Sequence, residues 1–125
     1  VELTLEQFQT LAHVRISPQG FGSSATDRRL QELGIERSIL VYTFSFATAP
    51  ELVARTDAVL TLPEWVARIV APRLGLRILP PPFDIPGFQL DMLWHQGRDD
   101  AALAWFRDAF AEVAAEVRAA YAPEG

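Results

Sequence analysis

The sequence predicts an α/β fold: a lobe built on an open parallel sheet, followed by one further strand and a long C-terminal helix. The first observation is the order of elements up to residue 80, which is β-α-β-α-β-α-β with connections of two to six residues. Such short connections indicate parallel strands joined by right-handed crossovers. The second is the run Ser38-Ile-Leu-Val-Tyr-Thr43, whose β-branched and aromatic residues are typical of a sheet covered on both faces.

Capping boxes predict where several helices begin. In this pattern a Thr side chain and a Glu or Gln side chain three residues later each satisfy a backbone N–H of the first helical turn. It occurs at Thr4 with Gln7, at Thr48 with Glu51, and at Thr61 with Glu64. Further helices are predicted over residues 24–33, ended by Gly34, and from residue 63 to about 70. Strands are predicted at residues 13–16, 38–43, 58–62 and 76–79.

The C-terminal third of the chain is predicted to be a separate piece. Residues 80–82 are prolines, which lack an N–H and fix φ, so residues 81–87 are predicted to form a semi-rigid connector. Residues 88–95 alternate like a strand, and a helix is predicted over residues 99–121. Its apolar face consists of Leu103, Phe106, Phe110, Val113, Val117 and Tyr121. Because one strand cannot form a sheet alone, we expect its partner to be the preceding lobe, a second copy, or sequence upstream.

Composition indicates one ordinary globular core and excludes several functions. The chain has 125 residues, 50% hydrophobic and 22% charged, with a net charge of −5. The eleven basic residues are all arginine and form no stripe, which argues against contact with a nucleic-acid backbone. Without cysteine there is no disulfide or thiolate nucleophile. No apolar run could cross a membrane and no signal peptide is visible, so we expect a cytoplasmic protein without a membrane partner.

No group of residues predicts catalysis, a metal or a cofactor. The segment Gly20-Phe-Gly-Ser-Ser-Ala25 fits the G-x-G-x-x-A pattern of dinucleotide-binding loops. The next strand, however, ends in Val41-Tyr-Thr-Phe44, without the acidic residue that binds the ribose, and a plain glycine-containing loop is the simpler interpretation. His13 and His95 lack metal-ligand spacing and are interpreted as hydrogen-bonded structural histidines. We therefore predict neither an enzyme nor a bound cofactor.

The predicted binding site lies at the carboxyl ends of the parallel strands, where open α/β sheets bind ligands. Hydroxyl groups, backbone amides and two phenylalanines are expected there, which would suit a small organic acid, including an aromatic one. The predicted site residues are Ser17, Pro18, Gly20, Phe44, Ser45, Phe46, Thr48 and Thr61. For the two threonines we expect helix capping first and ligand contact second, and for the two serines the reverse. Two helix N-termini beside the site would further favour an anion.

Six segments of the chain carry a resemblance to a known family. They are LAHVRISPQG at residues 11–20, FATAP at 46–50, LVARTD at 52–57, TLP at 61–63, GLRILP at 75–80 and LWH at 93–95. From about residue 3 to 110, the chain resembles the C-terminal part of the effector-binding domain of LysR-type transcriptional regulators. The resemblance is closest to the subgroup that includes the nodulation-type regulators.

The resemblance implies a Rossmann-like lobe of a two-lobed, periplasmic-binding-protein-like (type 2) fold, with a small-molecule effector held between the lobes. Residues 1–80 would form most of the second regulatory lobe, 81–87 the connector, and 88–125 a strand and helix returning to an otherwise missing first lobe. The family's loops corresponding to residues 17–20, 44–48 and Thr61 face the cleft. The resemblance also implies a homo-oligomer that binds DNA only through an N-terminal winged helix-turn-helix, which this sequence lacks.

Two other classes of function remain open from the sequence alone. One is a lobe of a solute-binding or carrier protein without a role in transcription. The other is a minimal oxidoreductase, which would have to bind NAD(P). The main prediction is a fragment of a LysR-type regulator that senses a small organic molecule.

Overall fold

The computed structural model describes residues 2–17, 24–97 and 100–121. The chain divides into two compact units, Val1–Gly87 and Phe88–Gly125. The first unit contains α1 (Leu5–Thr10), β1 (Ala12–Ile16), α2 (Ala25–Glu32), β2 (Ser38–Thr43), α3 (Thr48–Val53), β3 (Val59–Leu60) and α4 (Glu64–Leu74). The second unit contains α5 (Ala101–Tyr121).

The strands of the first unit form a parallel sheet in the order β2-β1-β3, which confirms the predicted parallel α/β lobe. The central strand β1 buries Val14 on one face, where it packs with Ala49 of α3 and with Ala58 just before β3. Side chains alternate along a strand, so His13 lies on the opposite face. There its buried ring contacts Phe8 of α1, with the ring centroids 4.5 Å apart. Helices therefore lie on both faces of the sheet.

The pairing between β1 and β2 shifts by one residue. His13 pairs with Ile39 and Val14 pairs with Val41, so Leu40 has no counterpart on β1. Paired residues of parallel strands point to the same face, and the shift therefore keeps Val41 beside Val14 in the core. The Leu40 side chain is 58% exposed.

One predicted capping box and one predicted helix end are confirmed. At the start of α1 the Thr4 amide donates to Oε1 of Gln7 at 2.9 Å, and the Gln7 amide donates to the Thr4 hydroxyl at 3.2 Å. At the end of α2, Gly34 has a φ of 65° and follows the last helical turn. The amides of Gly34 and Ile35 donate to the carbonyls of Gln31 and Leu30, which satisfies the free carbonyls of that turn.

The two later capping boxes are wrong. Thr48 is itself the first residue of α3 and not the N-cap residue before it. Thr48 and Glu51 therefore do not occupy the N-cap and N3 positions of a capping box. At α4 the N-cap position is occupied by Pro63, which makes no side-chain hydrogen bond. Thr61 therefore lies two residues before the N-cap position that a capping box requires, and Glu64 is the first helical residue.

Some predicted strands are short or do not form. The strand predicted at 58–62 is only Val59–Leu60, and residues 76–79 and 88–95 form no strand. In the 88–95 segment the alternating apolar side chains are exposed, for example Leu90 at 75% and Phe88 at 57%. Alternation supplies one face of a strand, but the hydrogen bonds must come from a neighbouring strand. The described residues contain no neighbour for this segment.

The second unit consists mainly of α5, which presents much of its apolar side to solvent. None of its residues is buried, and Phe106, Phe110 and Val113 are each more than half exposed. Arg107 lies over the ring of Trp94 at 4.8 Å from the ring centroid. No helix within the described residues combines the length and the apolar character needed to cross a bilayer.

Candidate functional site

Parallel pairing brings the carboxyl ends of the strands to one edge of the sheet, which we call the strand rim. Ser17, Phe44 and Thr61 come directly after β1, β2 and β3. The Ser17 amide donates to the carbonyl of Thr43 at 2.9 Å, so the ends of β1 and β2 are adjacent. Since β1 lies between the other strands, the buried Ser17 occupies the middle of the rim. The predicted site residues Pro18 and Gly20 lie outside the described residues.

Ser45 organises the segment between β2 and α3. Its hydroxyl oxygen accepts hydrogen bonds from the amides of Ala47 and Thr48, both at 3.2 Å, and its carbonyl accepts from the Ala49 amide at 3.2 Å. These are the bonds of an N-cap residue, so Ser45 performs the capping that the sequence assigned to Thr48. Because two amides point at the oxygen, the hydroxyl hydrogen is left to donate elsewhere. Capping and ligand contact by Ser45 are therefore compatible.

The other predicted residues of the rim differ in exposure. The rings of Phe44 and Phe46 are 70% and 44% exposed, whereas Thr61 is half-buried. Thr48 is exposed on the first turn of α3. The rim thus combines hydroxyl groups at its base with exposed aromatic rings beside them. This is a surface that could donate hydrogen bonds to a polar group while contacting an apolar one.

Helix N-termini contribute less to this site than the sequence suggests. Glu64 is the first residue of α4 and accepts hydrogen bonds from Nε and Nη2 of Arg68 at 2.9 and 2.7 Å. A carboxylate in the first turn offsets the positive end of the helix dipole. The helix α3 has only six residues. Attraction of an anion to the rim would therefore depend on hydroxyl donors. Among residues 2–17, 24–97 and 100–121 no cluster of acidic and histidine side chains could hold a metal ion.

A half-buried ion-pair cluster that the sequence analysis missed joins α2 to the sheet. One oxygen of Asp27 contacts Nη2 of Arg37 at 2.6 Å, and the other contacts Nη2 of Arg15 at 2.8 Å. The second oxygen also accepts hydrogen bonds from the amide and hydroxyl of Ser24, at 2.8 and 2.7 Å. Arg15 lies over the ring of Tyr42 at 5.3 Å. Ser24 and Asp27 form a capping box at α2, and their spacing is the signal that could have indicated part of this cluster.

The partners of Asp27 lower its pKa. Burial alone raises the pKa of this carboxyl group because it disfavours the charged form. The hydrogen bonds from Ser24 and Arg37, together with the positive charge of Arg37, outweigh burial, and the pKa lies below its ordinary value. Asp27 is therefore ionised in the folded chain and carries the charge that both arginines require.

His13 is a structural residue at the centre of the lobe, as predicted. Its ring is fully buried, and Nε2 donates to the carbonyl of Phe8 at 2.7 Å. Burial lowers the pKa of His13, the hydrogen bond to Phe8 raises it, and the charge of Arg37 lowers it, with a net decrease. His95 is exposed instead, and its Nδ1 accepts from the Gly97 amide at 3.0 Å.

The lowered pKa of His13 predicts that acidification destabilises the chain. Below about pH 6.5 an unfolded histidine binds a proton more readily than buried His13 does. The free energy of unfolding should therefore decrease as the pH falls from 7 to 5, and urea titrations at these values measure this. The variant His13→Gln should lose part of this pH dependence, whatever its stability at pH 7. An unchanged slope in the variant would assign the effect to other groups.

The comparison with protein families decides the class of the chain. The family model described as LysR substrate binding domain matches residues 1–115. The chain belongs to this family. The resemblance seen in the sequence is thereby confirmed, and the parallel lobe and C-terminal helix agree with it.

Individual relatives of this LysR substrate-binding domain are transcriptional regulators. The chain is 34% identical over 106 residues to the HTH-type transcriptional activator NahR of Pseudomonas putida, covering 84% of this chain and 35% of that protein. It is 34% identical over 116 residues to the HTH-type transcriptional regulator SyrM of Rhizobium meliloti strain 1021, covering 90% and 35%. The chain thus spans about a third of the length of these relatives.

A solved structure supports the same assignment. The crystal structure of a probable transcriptional regulator from Pseudomonas aeruginosa matches with a TM-score of 0.64 and 35% sequence identity. The match covers 68% of this LysR substrate-binding domain and 28% of that chain.

Proposed function

We propose that this LysR substrate-binding domain senses a small organic effector for a DNA-binding transcriptional regulator. The observation that carries the proposal is the strand rim, where Ser17, Ser45 and Thr61 follow or adjoin the ends of β1, β2 and β3. The HTH-type names of the relatives support a regulator whose DNA-binding part lies elsewhere in a longer protein. The acidic net charge of −5 agrees with that division of roles. We further propose that this protein acts in the cytoplasm.

The effector we propose is a small organic acid with an apolar or aromatic body. A carboxylate would accept hydrogen bonds from the Ser45 hydroxyl, whose oxygen is already held by two amides, and from the other hydroxyls of the rim. The exposed rings of Phe44 and Phe46 would contact the apolar body. Binding would favour one arrangement of the longer protein over another and so change its packing on DNA. No reacting group is needed for this role.

We propose that the rim is one wall of a two-walled cleft. In this proposal residues 1–80 form the second lobe, residues 81–87 the connector, and residues 88–125 return to the first lobe, supplied by the longer protein. The exposed rings of Phe44 and Phe46 are consistent with a wall of this kind, since a facing surface would bury them. Pro18, Gly20 and Thr48 would complete the contacts on this side.

The effector site is tested by substitutions at Ser45 and Phe46 in the full-length regulator. A reporter gene would first identify an inducing compound among aromatic and aliphatic carboxylates. Phe46→Ala should then raise the half-maximal concentration about tenfold, because an aromatic contact of roughly 1.5 kcal/mol is lost. Ser45→Asp retains an N-cap acceptor but repels a carboxylate, and it should abolish the response without lowering basal DNA binding.

Ile78→Ala is the matched control for Phe46→Ala, because Ile78 is 45% exposed and Phe46 is 44% exposed. The control should respond to the inducer like the unmodified protein. Equal loss of basal DNA binding and response in the Ser45 or Phe46 variants would indicate misfolding. An unchanged response in both variants would refute the proposed site.

We also propose that the chain forms homo-oligomers through its second unit. The exposed side of α5 and the exposed apolar side chains of residues 88–95 support this, because large apolar patches usually mark interfaces. Sedimentation of the 125-residue chain should show a concentration-dependent increase in mass. Replacing Phe106 and Phe110 by Ser should shift it toward the monomer, and a monomer at all concentrations would contradict the proposal.

A further inference from the structure

The segment that contains the three consecutive prolines begins beside α1. Leu79 lines a small cleft of about 260 Å³ together with Leu3 and Leu11, which flank α1 on its two sides. All three leucine side chains are half-buried. The prolines at residues 80–82 follow directly, and each proline ring fixes φ. The chain therefore has little freedom to depart from the course that it takes at Leu79.

Phe83 attaches the end of the proline run to the core of the lobe. Its ring packs edge-to-face against Phe8 of α1, with 5.0 Å between the ring centroids. Phe8 is 3% exposed, and its own ring contacts His13 of the central strand. The carbonyl of Phe8 also accepts the hydrogen bond from Nε2 of His13 at 2.7 Å. Phe83 is thus joined to one of the best-buried parts of the lobe.

The residue after Phe83 is held from a different helix. Nε of Arg29, on α2, donates to the backbone carbonyl of Asp84 at 2.9 Å. The same guanidinium group pairs through Nη1 with Glu32 at 3.2 Å, one turn further along α2. A hydrogen bond to a carbonyl restrains the main chain itself. Two adjacent residues are therefore fixed by independent contacts, one to α1 and one to α2.

The surroundings of the chain change within the next three residues. A Cβ built on Gly87 would meet no atom within 4 Å, so the chain passes through open space there. Residues 86–91 are all exposed and lie in no helix or strand. The boundary between the two compact units also falls after Gly87. The restraint on the backbone thus decreases sharply between Asp84 and Gly87.

We infer that residues 79–84 are a strap fixed to the lobe, and that the chain turns relative to the lobe only within residues 85–87, which we call the joint. The sequence analysis treats residues 81–87 as one semi-rigid connector, whereas the contacts divide it into an anchored part and a short joint. The strap is independent of effector binding. In the proposed two-lobed regulator a change in lobe arrangement would turn the chain at the joint, and this consequence rests on the proposed function.

Backbone order parameters from nitrogen relaxation test the inference in the isotope-labelled 125-residue chain. Phe83 and Asp84 should have values of about 0.8 or more, as a rigid backbone does, and Gly87 should fall below about 0.6. Arg29→Gln removes the anchor on Asp84 and should lower its order parameter toward that of Gly87. Arg28→Gln is the matched control, because Arg28 is an exposed arginine on the same helix, and it should leave Asp84 unchanged.

Limited digestion with chymotrypsin provides a second readout, because this protease cleaves after aromatic and leucine residues. The first cuts should follow Phe88 and Leu90, which are 57% and 75% exposed, and not the half-buried Phe83. Arg29→Gln should accelerate cleavage after Phe83 about fivefold, the change in an opening equilibrium expected when one hydrogen bond is lost. Arg28→Gln should not accelerate it. Mass spectrometry identifies the fragments.

Three results would each overturn the inference. One is an order parameter at Asp84 as low as that at Gly87, and another is a Gly87 as ordered as Asp84. The third is cleavage after Phe83 as fast as after Phe88 in the unmodified chain. An Arg29→Gln variant that changes neither readout would overturn the anchoring of the strap by α2. Neither readout involves an effector, so failure here is distinct from failure of the proposed rim site.

Discussion

Replacing Asp27 by Asn should lower the free energy of unfolding of this domain by about 3 kcal/mol, the lower end of the loss on removing one partner of a buried ion pair, because this cluster is only half-buried. The change keeps the size of the side chain but leaves two guanidinium groups without their carboxylate. The side chains of Arg37 and Arg15 are 8% and 20% exposed, so water can replace the lost interaction only in part. The Ser24 cap of α2 would also weaken.

Urea unfolding followed by circular dichroism measures this effect. Glu51→Gln provides the control, because Glu51 forms an exposed pair with Arg55 at 3.9 Å. It should change stability by less than about 0.5 kcal/mol. Since the pKa of Asp27 is lowered, its contribution is present at neutral pH and is lost as the pH falls below about 4. A loss under about 1 kcal/mol at pH 7 would show that the cluster contributes little beyond a surface pair.

Phe8→Ala should cost about 3 kcal/mol or more, within the range for removing a buried phenylalanine. Phe8 is 3% exposed and packs edge-to-face with two rings: His13, at 4.5 Å between centroids, and Phe83, at 5.0 Å. Its carbonyl also accepts the His13 hydrogen bond. The loss therefore affects the contact between α1, the sheet and the segment that follows the prolines.

Thermal and urea unfolding test this prediction, with Phe44→Ala as the control. Phe44 is 70% exposed, and its removal should cost under about 1 kcal/mol, as for other surface positions. A double-mutant cycle with Phe83→Ala should give a coupling energy of about 0.5–1.5 kcal/mol, as aromatic pairs do. Equal losses for Phe8→Ala and Phe44→Ala would mean that Phe8 is not part of the core.

Local chemistry predicts the parallel lobe well and its helix caps less well. Alternating elements with short connections leave few topologies, which is why the sheet and the position of Gly34 follow from the sequence. Between β2 and α3, however, both Ser45 and Thr48 fit a cap. Glu51 favours Thr48 locally, whereas the folded chain uses Ser45 because its carbonyl and hydroxyl reach three successive amides.

Interactions distant in sequence could not be predicted from patterns. Arg15, Asp27 and Arg37 lie ten or more residues apart, and only the packing of α2 on the sheet brings them together. The strand predicted at 88–95 illustrates a second limit, because alternation cannot supply the neighbouring strand that pairing requires. The positions of the rim residues can be predicted from the parallel topology of the strands. The exposure of Phe44 and the capping bonds of Ser45 cannot be predicted in this way.

Because Leu40 has no counterpart on β1, we expect β2 to tolerate a one-residue deletion at this position. Deleting Leu40 would leave Ile39 opposite His13 and Val41 opposite Val14, so every other β2 side chain would keep its face. Elsewhere in a strand a deletion reverses all the faces that follow it. Homologous chains can therefore differ by one residue at position 40 with little loss of stability. A gap at this position in an alignment would not indicate a different fold.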